Sequence, residues 1–149
     1  MGNRAVITTP ERKLALYLHW NGGRDSVRAF LAYCKAEGFR DPAEDDYGWA
    51  CLAQVCRNFF SPDAGDNDLN GERGLYVGLS TYQDADRDNG DNGVYIIEGW
   101  KIVGRESFEG QEQKGHDLLG MLWNINETMP KGIQLNEHEL EDAAEGADA

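Results

Sequence analysis

Three observations predict an α+β domain in which a mostly antiparallel sheet of about five strands carries two to three helices on one face. Short apolar runs alternate or are rich in β-branched residues and end at Gly, Asn or Pro; longer stretches repeat their apolar residues at helical spacing; and residues 84–104 read as a charged loop feeding a β-hairpin. At 149 residues, the chain is long enough for one domain that buries roughly two-thirds of its unfolded surface. Four Trp, six Tyr and five Phe within a hydrophobic fraction of 40% are enough for a folded core. Residues 1–131 are expected to form that domain, and the acidic, Ala-rich stretch 132–149 to fray.

Along the chain, Ala5-Val6-Ile7-Thr8-Thr9 predicts a strand stopped by Pro10, and residues 13–20 a second one broken at Asn21-Gly22-Gly23. Val27, Phe30, Leu31 and Cys34 sit at helical spacing within residues 24–37, with Asp25 or Ser26 near the cap and Gly38 as the stop. Residues 47–60 are apolar nearly all round and predict a central core helix, with Asp45 and Asp46 at its positive N-terminal end. Residues 75–82 predict a third strand. Val94-Tyr95-Ile96-Ile97 and Trp100-Lys101-Ile102-Val103 supply a fourth and fifth, joined through Glu98-Gly99, where glycine reaches positive φ without steric cost. A third helix is expected over residues 116–129, ended by Pro130.

Net charge is −13 and unevenly spread. Residues 1–40 carry seven bases against three acids, whereas residues 41–98 carry thirteen acids against three bases. Such a middle repels nucleic acid and membranes and attracts basic partners, in a way that salt weakens. The expected partner is a basic protein surface, with no direct nucleic acid and no membrane. Cys34, Cys51 and Cys56 form no CxxC pair and are expected to be buried free thiols of a reducing cytoplasm. No apolar run approaches a membrane span, and no apolar leader opens the chain, so a cytoplasmic location is expected.

The chemical motifs are thin. Asp66-Asn67-Asp68-Leu69-Asn70-Gly71 fits the opening of a calcium loop, but position 12 falls on Val77 instead of a carboxylate. Asp84, Asp86 and Asp88 repeat the spacing, with Asn89 at the glycine position. Trp20-Asn21-Gly22-Gly23 before Arg24-Asp25-Ser26 is better explained as a turn and helix cap than as a phosphate cradle, because it lacks the phosphate-loop pattern and Asp25 opposes an anion. His19, His116 and His138 are scattered, and no nucleophile–base signature marks an enzyme. No metal and no cofactor is expected.

What remains is three acidic clusters: Asp41, Glu44, Asp45 and Asp46; Asp63, Asp66, Asp68 and Glu72; and Asp84, Asp86, Asp88 and Asp91. Carboxylates lined along one face suit a groove built to hold a DNA backbone. The predicted anionic contacts are Asp45, Asp46, Asp84, Asp86, Asp88 and Asp91, with Tyr47 and Trp49 as aromatic anchors if exposed.

The phrases Leu16-Tyr17-Leu18-His19-Trp20-Asn21-Gly22-Gly23-Arg24-Asp25-Ser26-Val27, Tyr47-Gly48-Trp49-Ala50 and Asp88-Asn89-Gly90-Asp91-Asn92-Gly93-Val94-Tyr95 resemble small proteins carried on bacterial phages and prophages, over roughly residues 3–125. As a class, small acidic phage-borne α+β domains resemble inhibitors of host defence, including anti-CRISPR and anti-restriction proteins that mimic DNA. The resemblance implies a non-enzymatic inhibitor that occludes a basic nucleic-acid-binding site of a CRISPR–Cas complex or restriction enzyme in the host cytoplasm. The alternative is a small calcium-binding or ligand-binding accessory module of a phage.

Overall fold

The computed structural model describes residues 2–60, 76–112 and 117–147. Strands β1 (Ala5–Thr8), β2 (Leu14–Leu18), β3 (Val77–Thr81), β4 (Val94–Glu98) and β5 (Lys101–Glu106) form one sheet in the order β3-β2-β1-β4-β5. Helices α1 (Arg24–Ala36), α2 (Tyr47–Phe60), α3 (Leu118–Glu127) and α4 (Glu137–Ala147) complete the α+β fold.

The sheet is mixed where mostly antiparallel pairing was expected. Three pairings are antiparallel, but β1 and β4 at the centre run parallel, with Val6 opposite Val94 and Thr8 opposite Ile96. Local pattern reveals hairpins, not how two hairpins lie side by side. The strand that receives β4 is the one with all four residues buried, as a strand covered on both faces must be.

Alternation sends Ala5 and Ile7, Leu16 and Leu18, and Tyr95 and Ile97 to one face, where they join Phe30, Leu52, Leu122 and Leu140 in the main core. Val6, Ala15 and Val94 point to the other face and form a small second cluster with Tyr17, Tyr82 and Ala85. The helices thus share one face, as the sequence predicts.

Helix α1 ends where expected. Gly38 adopts φ +79°, its N–H donates to the Lys35 carbonyl, and the Phe39 N–H donates to that of Cys34, which satisfies carbonyls left open by the last turn. The β4–β5 turn lies one residue further on than expected: Glu98 pairs with Lys101, leaving Gly99 and Trp100 as its two central residues, both at positive φ. That is the geometry of a type I′ hairpin. Trp100 is held in this costly conformation because its ring is buried and its indole N–H donates to the Phe39 carbonyl at 2.8 Å.

The C-terminal segment corrects the expectation of a frayed tail. Asn136 and Glu139 cap α4 reciprocally: the Glu139 N–H donates to Asn136 Oδ1 at 2.8 Å and the Asn136 N–H to Glu139 Oε1 at 3.0 Å. Leu140 is fully buried, and Ala143, Ala144 and Ala147 pack against the main core. Buried Asn126 of α3 fixes the approach to α4 by exchanging two hydrogen bonds with the Leu135 backbone, at 2.8 and 2.9 Å. The Tyr33 hydroxyl donates to Glu37 Oε2 at 2.7 Å beside this pair. Leu140→Ala is expected to lower stability by about 2–5 kcal/mol, the usual cost of a core Leu truncation; a melt that hardly moves is what a frayed tail would give.

Candidate functional site

The acidic loop lies on the face of the sheet opposite the helices. Residues 82–93 leave β3 beside Leu14 and enter β4 beside Val6, so the connection crosses from one end of the sheet to the other. On the way Tyr82 and Ala85 seal the second apolar cluster. Tyr82 also donates its hydroxyl to Glu106 Oε2, which places a carboxylate of β5 under the same crossing.

Asn89 is the pin of this loop. Its side chain is 3% exposed, and all four of its hydrogen-bonding capacities are used. Oδ1 accepts from the N–H groups of Asp91 and Gly93, while Nδ2 donates to the carbonyls of Asp86 and Gly93, at 3.0 to 3.1 Å. Gly93 follows at φ +65°, where a β-carbon would run into the Glu106 and Ser107 carbonyls. Asp91 takes hydrogen bonds from the Arg4 backbone N–H at 3.0 Å and from Arg4 Nε at 2.8 Å. These hold its carboxyl below the ordinary carboxylate range.

With the inner residues anchored, Asp84, Asp86 and Asp88 face solvent. Asp86 reaches Arg4 at 3.9 Å; among the described residues no cation lies within 4.0 Å of Asp84 or Asp88. Together with residues 107–110 the loop walls a cleft of about 720 Å³ lined by Asp86, Asp88, Asp91 and Glu109. Among the described residues its one base is Arg87, which lies 4.6 Å above the Tyr82 ring centre. Such a cleft can receive a cationic side chain. Sequence reading missed Glu109, which joins because antiparallel β5 returns to the end of the sheet where the loop enters β4, with Glu106 opposite Val94.

The structure separates the six predicted contacts. Asp45 and Asp46 lead α2 on the helix side of the sheet, so the sheet stands between them and the loop. Asp45 caps α2 by accepting from the Tyr47 N–H and pairs with Arg40 at 3.0 Å; its carboxyl is lowered first by that backbone bond and then by Arg40. Asp46 is exposed. Asp41 receives the N–H groups of Ala43 and Gly99, which ties the α1–α2 connection to the β4–β5 turn. Of the two aromatics, Tyr47 is 69% exposed and Trp49 is buried in the core.

The calcium-like motif over residues 66–71 and the cluster at Asp63, Asp66, Asp68 and Glu72 lie outside the described residues, as does His116. Among the described residues no group of three or more His, Cys, Asp or Glu is arranged to hold a metal ion. His19 is engaged: Nδ1 lies 2.7 Å from the Tyr17 hydroxyl and its ring stacks on Tyr76. Cys34 and Cys56 are buried free thiols whose pKa values burial pushes up, and Cys51 is partly exposed. No helix among the described residues is long and apolar enough to cross a membrane.

Asn89→Ala strands the buried Gly93 N–H, and a loss of about 1–3 kcal/mol is expected in a denaturant titration. The Arg4–Asp91 pair sets a second expectation. A carboxyl depressed in the folded state contributes fully above its unfolded pKa of about 4 and loses that contribution as pH falls through the folded value. Stability of the native chain should therefore decline below pH of about 4 more steeply than that of Asp91→Asn, which thermal melts across that range would reveal. Comparison of the chain with protein-family models, with curated proteins and with solved structures gives no match.

Proposed function

We propose that the protein is a non-enzymatic inhibitor of a bacterial defence system, of the anti-CRISPR type, encoded by a phage. The crossing loop occludes a basic nucleic-acid-binding site of the target complex. The observation that carries this reading is the exposure of Asp84, Asp86 and Asp88 on a loop whose shape is set from inside by Asn89 and Asp91. Ordering such a loop before binding reduces the entropy lost on contact, and Asp84 and Asp88, which have no cation within 4.0 Å among the described residues, keep their full attraction for a basic groove. The neighbouring cleft adds Glu109 and a space for a Lys or Arg side chain.

Asp45 and Asp46 belong to a different surface of the protein and serve, in this reading, as a secondary contact beside the exposed Tyr47. The primary contact is the loop. Salt should weaken binding strongly, because the attraction is between exposed charges.

The test is affinity capture with the tagged protein from a bacterial lysate, at low and high salt and with competing duplex DNA, followed by a plasmid-interference assay. A Cas complex or restriction enzyme released by salt and displaced by duplex DNA is the expected catch. Reversal of Asp84, Asp86 and Asp88 to Lys should abolish both capture and inhibition while shifting the melting temperature little, since all three side chains are exposed. Inhibition that survives the triple reversal sinks the assignment of the loop.

A further inference from the structure

A second cleft, of about 590 Å³, lies on the helix side between α1, α4 and the start of β5. Its floor is apolar: Leu31 and Ala32 from α1, Trp100 and Ile102 from the hairpin, and Ala143 from α4. Its rim is basic, with Arg24, Arg28, Lys35 and Lys101, in a chain of net charge −13. Two acids, Glu139 and Asp142, stand on the α4 wall, so among the described lining residues the bases outnumber the acids two to one.

The cleft exists because both helices carry small residues where they face it, among them Ala32, Ala36 and Gly146. It is elongated. Arg24 and Lys35 are eleven residues apart on one helix, or about 16 Å along its axis.

The two ends differ. Arg24 reaches Glu112 at 4.0 Å, and Arg28 pairs with Asp25 and donates to the Ala147 carbonyl. At the other end the Trp100 indole, tied to Phe39 just beyond α1, brings the start of β5 beside the last turn of the helix, and Lys35 and Lys101 both line the cleft. Among the described residues neither lysine has a carboxylate within 4.0 Å. An anion in the cleft is attracted by both lysines, neither of which has a carboxylate to screen it.

We propose that this cleft binds an amphipathic carboxylate, with the head group at Lys35 and Lys101 and an apolar body laid along Trp100, Ile102, Leu31 and Ala32. The volume falls in the range of small-molecule sites, and an apolar lining with a few converging polar groups is their usual composition. The site is separate from the acidic loop, so the inference stands or falls independently of the inhibitor reading.

The probe is sodium decanoate, titrated calorimetrically into the full chain at low salt, with decyltrimethylammonium as the control of opposite charge. Saturable one-to-one binding of decanoate, unaffected by the cationic control, is expected. Lys35→Glu combined with Lys101→Glu should weaken it by about tenfold or more, the loss of charge-assisted hydrogen bonds to the head group. Ala36→Trp, at an exposed helical position, should block it sterically. The neutral pair Lys35→Gln and Lys101→Gln repeats the test should the reversal disturb folding, which circular dichroism reports. Absence of saturable heat, equal binding of the cationic control, or full affinity in the lysine variants overturns the proposal.

Discussion

The parallel contact between β1 and β4 governs this molecule. Antiparallel neighbours can be joined by a tight turn, but a parallel neighbour requires the chain to return to the end from which it started. Here the strand entering the parallel pair comes from β3, on the far side of β2, and the return is made by residues 82–93 instead of a helix. A connection that must span the sheet without regular structure has to satisfy its own backbone and cover apolar surface at once. Asn89 does the first and Tyr82 and Ala85 do the second, which leaves the intervening aspartates for solvent.

Charge is sorted by the same architecture. The acidic loop occupies the bare face of the sheet, whereas the basic residues of α1 line a cleft in the helix layer. A net charge of −13 therefore conceals a basic-rimmed cleft beside the acidic surfaces. Among the aspartates, those that keep the fold are distinguishable from those that do not: Asp91, Asp45 and Asp41 are engaged by Arg4, Arg40 and backbone N–H groups, and Asp84 and Asp88 are not.

Most elements were legible in the sequence because their periodicity and their stops agree. Residues 24–37 announced α1 through Val27, Phe30, Leu31 and Cys34 and ended at Gly38, where the structure needs a left-handed residue. The parallel pairing was not legible, since strand order depends on contacts far apart in sequence. The fourth helix was legible in principle: Asn136 and Glu139 have capping-box spacing, and Leu135 and Leu140 bracket them as a hydrophobic staple does, but the acidic composition around them masks the signal. For the site, sequence located the exposed aspartates yet grouped them with Asp45 and Asp46, because a cluster list carries no information about which side of a sheet each cluster faces. Glu109 and the basic cleft were invisible for the same reason, being assembled from separate elements.

The buried amide of Asn89 has an evolutionary consequence. Because the loop is folded from within, the side chains at positions 84, 86 and 88 contribute little to its shape and are available for replacement one at a time. The sign, spacing or bulk of what the loop presents can then change without refolding the scaffold. Positions 89, 91 and 93 are fixed by geometry, and the replaceable positions 84, 86 and 88 lead into them.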